Sequence, residues 1–310
     1  MSDRGSGLGA RGSDTGAESP STPEPRTPGP GGRVGKLFVV ATPIGNLGDL
    51  APRAREVLSA VRLLLAEDTR HVRKLLNHFG ISTPARSLHE HNEAREVPRL
   101  LADLATGAEF ALLSDAGTPL VADPGFRLVR GCRERGIPVL AVPGPSAVTA
   151  ALAVSGLPPV PFTFAGFLPP KAAARAAALA GLAVLPHTVV IFVSPHRLRP
   201  ELESCAEALG AGREAVLLAE LTKVHERANR GTLGELAAAA AGEAKGEHTL
   251  VVGPPPPAAV PSATAEAAAL ALEEALARGL DLADARRQAA RALGISRREL
   301  YDLLMPHPAR

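Results

Sequence analysis

The sequence has no tryptophan, one tyrosine and two cysteines, and this scarcity narrows what the chain can be. Two well-separated cysteines, Cys132 and Cys205, supply neither a disulfide framework nor a cysteine-type zinc site, and they fit a reducing cytoplasm. Aromatic residues make up 3% of the 310 residues, but hydrophobic residues make up 45%. The chain can therefore build a sizeable core and is long enough for two ordinary domains.

Several chemical signatures are also missing. The net charge of +2 neither demands nor excludes a nucleic-acid partner. Gly35-Lys36 fails as a phosphate-binding loop, because Pro30 stands where its first glycine should be and Leu37 where Ser or Thr should be. There is no Gly-x-Ser-x-Gly nucleophile elbow. His89 and His91 have the spacing of two metal ligands but lack a third, so we expect a polar loop there and no metal.

No membrane span is expected. Residues 137–170 lack any charged side chain, yet prolines and glycines interrupt them repeatedly. A transmembrane helix needs about 20 continuous apolar residues, and lipid offers no partner for backbone groups freed at such breaks. We interpret this stretch as a buried strand, a loop, a buried helix and a connection between domains.

Strands and helices alternate from Lys36 onward, which predicts a mostly parallel sheet covered by helices. The expected strands of this first part are 37–41, 62–66, 110–114 and 138–142, and the expected helices are 52–60, 69–79, 93–106 and 124–135. A second α/β unit has expected strands near 162–165, 188–193, 215–219 and 248–252. Residues 263–305 look helical, with Gly294 and the helix-capping Ser296 predicting a small helix-turn-helix-like appendage.

These elements suggest five regions. The expected ranges are a disordered tail at 1–35, an N-terminal α/β domain at 36–157, a C-terminal α/β domain at 158–253, a proline-rich linker at 254–262 and a helical appendage at 263–310.

Three loops rich in proline and glycine follow strands of the first predicted sheet. They begin near Pro43, Asp115 and Pro143. Open α/β sheets hold ligands at the carboxyl ends of parallel strands, so these loops should converge on one edge and form a pocket. Gly45 lets backbone approach a ligand, and the Asp115 carboxylate can accept hydrogen bonds from a ribose or an ammonium group. Each loop alone could be an ordinary turn.

Charged residues cluster near other strand ends. Glu67-Asp68-Thr69-Arg70 closes the second strand, and Lys223 and Glu247 lie near the ends of strands in the second unit. Asp68 or Thr69 could instead be a helix N-cap, and any of the other charges could be a surface ion pair.

Seven motifs occur together in a fixed order. They are Thr42-Pro-Ile-Gly-Asn-Leu47, Glu67-Asp-Thr-Arg70, Ser114-Asp-Ala-Gly-Thr-Pro119, Pro143-Gly-Pro-Ser146, Gly166-Phe-Leu-Pro169, Glu220-Leu-Thr-Lys223 and Lys245-Gly-Glu247. Over roughly residues 35–252 the chain therefore resembles the ribosomal RNA small subunit methyltransferase I family. That family is the RNA-modifying branch of the tetrapyrrole (uroporphyrin-III, corrin) methylases.

The resemblance implies a two-domain tetrapyrrole-methylase-like α/β fold and the cofactor S-adenosylmethionine. It also implies a cytoplasmic homodimer that methylates the 2′-oxygen of a cytidine in the decoding region of 16S rRNA in the small ribosomal subunit. The expected cofactor contacts are Pro43, Ile44, Gly45, Asp115, Ala116, Gly117, Thr118, Pro119, Ser146 and Ala147. A ribose hydroxyl needs a base or a cation that stabilises its alkoxide. The candidates for these roles are Glu67, Asp68, Arg70, Lys223 and Glu247, while basic residues within 70–74, 127–135 and 286–298 could contact phosphates.

Two positions depart from the family pattern. Val193 stands where the family usually has an acidic residue, and Ala219 stands where it usually has arginine. These two lost charges leave open a non-catalytic RNA-binding protein that assists ribosome assembly. Methylation of a small tetrapyrrole is a separate alternative.

Overall fold

The computed structural model describes residues 34–240, 246–256 and 264–305. The disordered tail expected at 1–35 lies outside this range except for its last two residues. Most of the linker expected at 254–262 and Lys245 of the last motif also lie outside the described residues. The described chain forms two compact units, residues 34–42 with 50–144, and residues 43–49 with those from 145 onward.

The first unit is built on a fully parallel five-stranded sheet with the order β3-β2-β4-β1-β5. Its strands are β1 (Lys36–Val40), β2 (Leu63–Ala66), β3 (Ala85–Ser87), β4 (Glu109–Leu113) and β5 (Val139–Val142). The predicted parallel sheet is thus confirmed, and β3 is an added edge strand. In the register of the sheet Val40 pairs with both Leu113 and Val142, so β1, β4 and β5 end side by side.

Two helices cover each face of this sheet, as the sequence of crossovers between parallel strands requires. The helices are α1 (Pro52–Ala60), α2 (Thr69–Phe79), α3 (Glu90–Ala105) and α4 (Phe126–Glu134). Leu58 of α1 and Leu75 of α2 belong to one buried cluster, whereas Leu100 of α3 and Leu128 of α4 belong to another. Gly80 ends α2 in the left-handed conformation, with φ of +65°, as expected for a helix C-cap.

The second unit contains a mixed five-stranded sheet with the order β6-β7-β10-β8-β9. Its strands are β6 (Phe162–Phe167), β7 (Thr188–Val193), β8 (Glu214–Ala219), β9 (Arg227–Thr232) and β10 (His248–Val252). Only the β6–β7 pair is parallel. The helices beside this sheet are α5 (Ala147–Ser155), α6 (Ala172–Ala183), α7 (Leu198–Leu209) and α8 (Leu233–Ala239). Residues of α6, α7 and α8 form one aliphatic core with β7, β8 and β10.

The chain continues into three helices, α9 (Ala265–Ala277), α10 (Leu282–Ala292) and α11 (Arg297–Leu304). Ser296 caps α11, because its hydroxyl accepts the amide hydrogen of Glu299 while the Glu299 carboxylate accepts that of Ser296. The predicted glycine turn and serine-capped helix are therefore present. Their small core is formed by alanines with Leu300.

The domain ranges expected from the sequence remain a prediction. They assign α5 to the first domain, whereas in the structure α5 contacts β8 and β10 of the second unit. Across the described ranges, none of the helices combines the length and the apolar character needed to cross a membrane.

Candidate functional site

The first candidate cluster lies where β4 ends. Thr42 and Gly117 exchange two backbone hydrogen bonds, with N···O distances of 2.8 and 3.0 Å. The buried Ser114 hydroxyl donates to the Gly117 carbonyl at 2.9 Å. These bonds join the segment after β1 to the segment after β4, as the side-by-side strand ends predict.

Asp115 presents its carboxylate at this edge. One oxygen accepts the Asp68 amide hydrogen at 3.2 Å, and the other lies 3.0 Å from Nδ1 of His71. About a third of the side chain, 31%, is still exposed. Asp115 therefore fixes the start of α2 and keeps a carboxylate surface for a ligand.

Asp68 serves mainly as a helix cap. It accepts the amide hydrogen of Arg70 at 2.8 Å and forms an ion pair with the Arg70 guanidinium at 2.6 Å. Hydrogen bonds from Arg70 lower the pKa of Asp68 to about 2. Such a carboxylate is a weak base, so the capping interpretation of Asp68 fits the structure better than a proton-accepting one.

Two nearby carboxyls, those of Glu67 and Asp123, have raised pKa values instead. Burial, reinforced by the charge of Asp115, raises the pKa of Glu67. Burial and the charges of Glu67 and Asp115 raise the pKa of Asp123 to about 7. Asp123 was not predicted as a site residue, because only its position among other acids distinguishes it from an ordinary turn aspartate.

The second cluster lies in the second unit and centres on Lys223. Its ammonium Nζ lies 2.9 Å from Oε1 of Glu220 and 3.2 Å from Oε2 of Glu247. The same Glu220 oxygen accepts the Glu247 amide hydrogen at 3.0 Å, and the Glu220 amide donates to the Glu247 carbonyl. The two motifs that contain Lys223 and Glu247 are therefore joined by hydrogen bonds into one cluster. We call it the Lys223 cluster (Glu220, Lys223, Gly246, Glu247).

The electrostatics of this cluster keep Lys223 charged. Burial lowers the pKa of Lys223, but the hydrogen bonds and charges of Glu220 and Glu247 outweigh burial, and the net pKa is raised. Hydrogen bonds from Lys223 and Glu247 lower the pKa of Glu220. Lys223 and Glu247 were predicted as candidates from their motifs, but Glu220 was not predicted to be their common partner.

Gly45 packs against this cluster. A Cβ atom built on Gly45 would lie 2.5 Å from Cγ of Lys223 and 2.9 Å from the Leu221 carbonyl oxygen. The close approach of residues 221 and 223 therefore requires glycine at position 45. The expected contact between Gly45 and a cofactor stays a prediction. Pro43 and Ile44 beside it are buried.

Backbone strain marks both clusters. Within the described ranges the non-glycine residues with φ between +50° and +80° are Leu120, Ala122, Glu220 and Thr222. The first two lie in the loop that joins Asp115 to Asp123, and the last two hold Lys223. Left-handed backbone costs a non-glycine residue about 1 kcal/mol or more, and proteins tolerate it chiefly where function demands it.

The two departures from the family pattern are neighbours in space. His248 of β10 pairs with Val193 of β7 on one side and with Ala219 of β8 on the other. All three side chains are buried, and alternation along the strands places them on one face of the sheet. An acidic residue and an arginine at these two positions would therefore flank the same residue of β10.

The remaining expected cofactor residues lie at the start of α5. Ser146 precedes this helix and Ala147 begins it, and both are half-buried. Among the described residues no group of three or more His, Cys, Asp or Glu side chains is placed to hold a metal ion.

Comparisons with known proteins identify the family of this chain. The family model "Tetrapyrrole (Corrin/Porphyrin) Methylases" matches residues 36–237. The chain belongs to the tetrapyrrole methylase family. Proteins of this family named "Ribosomal RNA small subunit methyltransferase I" are close relatives. The protein of that name from Xylella fastidiosa is 48% identical over 221 residues, covering 70% of this chain and 81% of its own length. The one from Synechocystis is 44% identical over 271 residues, covering 87% and 97%.

A solved structure supports the fold of this tetrapyrrole methylase. Uroporphyrin III C-methyltransferase from Thermus thermophilus in its native form has a TM-score of 0.51 with 20% identity, over 71% of this chain and 97% of that one. At this identity the likeness concerns the fold alone.

Proposed function

We propose that this protein transfers a methyl group from S-adenosylmethionine to ribosomal RNA, at the 2′-oxygen of a cytidine in the decoding region of 16S rRNA. The observation that carries the proposal is the similarity to proteins named ribosomal RNA small subunit methyltransferase I, over 81% and 97% of the lengths of the two relatives described above. The proposal includes a cytoplasmic homodimer as the working form, which sedimentation of the purified chain would test.

The cofactor contacts are proposed on each unit separately. The first unit offers Asp115, Ala116, Gly117, Thr118 and Pro119, where a partly exposed carboxylate stands in a backbone-rich loop. The second unit offers Pro43, Ile44, Gly45, Ser146 and Ala147. Backbone groups and a carboxylate suit a cationic ligand with an amino acid and a ribose, and they need no metal. When bound, S-adenosylmethionine supplies an electrophilic methyl group.

The protein must also stabilise the negative charge that develops on the acceptor oxygen. A ribose hydroxyl loses its proton as it reacts, and negative charge develops on its oxygen. A fixed cation stabilises that charge best when it is already positioned. Lys223 meets this requirement, since two carboxylates hold its ammonium and keep it protonated. A lysine with a raised pKa is not a general base, so we assign Lys223 an electrostatic role.

A labelling experiment tests the proposed reaction. Purified protein would be incubated with methyl-labelled S-adenosylmethionine and small ribosomal subunits from a strain that lacks this enzyme. Label in one nuclease-resistant 2′-O-methyl dinucleotide is the expected result. RNA binding without label would favour the non-catalytic alternative, and neither label nor RNA binding would favour a tetrapyrrole substrate.

Asp115 tests the cofactor assignment. Asp115→Ala is expected to abolish binding of S-adenosylmethionine while leaving the fold intact. Asp115→Asn is the matched variant, because its amide oxygen can still accept the Asp68 amide hydrogen at the start of α2. Calorimetric titration of both variants with the cofactor would decide, and unchanged affinity would remove Asp115 from the binding site.

A further inference from the structure

The two helical layers of the first unit carry very different charge. Helices α1 and α2, on one face of the sheet, contain five basic residues and one acidic residue. Helices α3 and α4, on the other face, contain five basic and five acidic residues. The protein as a whole has a net charge of only +2, so the basic layer is a local feature.

Helix α2 concentrates this charge on its outer side. Arg70, Arg73 and Lys74 follow the i, i+3, i+4 spacing of one helix face and are exposed. Val72 and Leu75 point the other way into the core. The helix contains no acidic residue, and in the described ranges neither Arg73 nor Lys74 takes part in an ion pair.

Helix α1 extends the same surface. The guanidinium carbon of Arg55 lies 5.8 Å from the centre of the Phe79 ring at the end of α2. His78 beside Phe79 is also exposed. We call the surface formed by Arg55, Arg70, Arg73, Lys74 and His78 the α1–α2 basic face.

Ion pairs neutralise much of the opposite layer. Arg130 pairs with Glu134 within α4 at 2.8 Å, and Arg95 pairs with the buried Glu96 of α3 at 3.0 Å. Arginines held this way have partners inside the protein. On the α1–α2 basic face Arg70 pairs with Asp68, whereas among the described residues Arg73 and Lys74 have no acidic partner and can meet charge from outside.

The composition of the α1–α2 basic face indicates which class of partner it binds. A protein interface of standard size has an apolar centre with aromatic or aliphatic anchors. Over the described chain, no large apolar side chain is exposed on α1 or α2. A phosphate backbone needs no such anchor and is bound mainly by Lys and Arg.

We infer that the α1–α2 basic face is a binding surface for the phosphate backbone of the RNA substrate. This inference rests on the proposed function and assigns the surface that holds its substrate. Because the contacts are to phosphates, the surface contributes affinity and orientation but not the choice of nucleotide. Asp115 binds both the Asp68 amide and His71, so the basic face begins at the candidate cofactor loop.

Charge reversal on matched surfaces tests this inference. The test variant is R73E/K74E, and the control R99E/R278E makes the same charge change at exposed positions in α3 and at the end of α9, outside the basic segments that are candidates for phosphate contact. Binding to an unmodified 16S rRNA transcript would be measured across a salt series. For R73E/K74E we expect affinity to fall on the order of tenfold or more, and the slope of log K against log salt to fall by about 2, one for each lost phosphate contact. The control is expected to retain the wild-type slope.

Two further measurements keep the outcomes separate. Thermal unfolding and binding of S-adenosylmethionine should be unchanged in R73E/K74E, which shows that the fold and cofactor site survive. Equal losses in both variants, or no loss in R73E/K74E, would overturn the assignment of the surface while the wild-type methylation of RNA still stands. A wild-type protein that neither binds nor methylates RNA would instead refute the proposed function.

Discussion

Replacing Gly246 by alanine should disturb the Lys223 cluster through a single added carbon. Gly246 has φ of +83°, and a Cβ atom there would lie 2.1 Å from Oε1 of Glu220. That oxygen accepts hydrogen bonds from Lys223 and from the Glu247 amide, so the carboxylate cannot move without breaking both. The variant therefore combines a backbone penalty with the loss of the contacts that hold Lys223.

The expected loss of stability is the sum of the backbone penalty and the lost contacts. Left-handed backbone costs alanine roughly 1–2 kcal/mol relative to glycine. A hydrogen bond to a charged group contributes about 1.5–3 kcal/mol, but the Glu220 side chain is 23% exposed, so we discount its loss to about 1 kcal/mol. Gly246→Ala should thus destabilise the protein by about 2–3 kcal/mol. Methyl transfer should fall about 100-fold, since small displacements of a positioned group have effects of that size.

Gly166→Ala provides the matched control. Gly166 lies in β6 of the same sheet with φ of +68°, and nothing lies within 4 Å of its added Cβ. It should lose only the backbone term of about 1–2 kcal/mol and keep its methyl-transfer rate. Urea unfolding and single-turnover methylation of both variants would be compared. Equal stability and equal rates in the two variants would refute the view that Glu220 positions Lys223.

Three other predictions concern single side chains. Lys223→Met should lower kcat by about 100- to 1000-fold with cofactor affinity unchanged, as judged by turnover and by calorimetry. The folded-state pKa of Asp123, about 7, lies above the unfolded value of 3.8, so the native state holds a proton that the unfolded chain releases. Stability should therefore fall as pH rises from about 4 to about 7, by roughly 1–2 kcal/mol after allowance for solvent screening, and Asp123→Asn should flatten this dependence in urea unfolding. Val193→Glu should cost roughly 3–5 kcal/mol because it buries an unpaired charge, and adding Ala219→Arg on the other side of His248 should restore part of the loss. An additive double-mutant cycle would show that the two introduced charges do not interact.

Most of the fold follows from apolar pattern, and the exceptions have a physical reason. The four longer strands of the first sheet, β1, β2, β4 and β5, were predicted within one or two residues. β3 and β9 were missed, because Ala85–Ser87 is only three residues long and Arg227–Thr232 is mostly exposed and polar. Pairing with a neighbouring strand makes these segments β-structure, and a partner distant in sequence leaves no local pattern.

The candidate sites show a similar limit. Motifs placed Asp115 and Lys223 among the residues of interest, but they did not reveal Glu220 as the group that holds Lys223. That role depends on a left-handed backbone at Glu220 and on close approach of Gly246, and neither has a sequence signature. The raised pKa of Asp123 likewise arises from burial beside Glu67 and Asp115, which only the fold brings near it.

The contact of Gly45 with residues 221–223 has a consequence for biosynthesis. Residues 43–49 interrupt the first unit in sequence but pack with the second unit. During translation the sheet strands that flank this segment emerge early, whereas its packing partner emerges more than 170 residues later. The segment is therefore among the last parts of the first half of the chain to reach its native environment, and a ribosome-bound fragment ending near residue 144 would carry it unprotected. Nascent chains stalled before and after residue 223 would differ in proteolysis at this loop even when the first sheet is already folded.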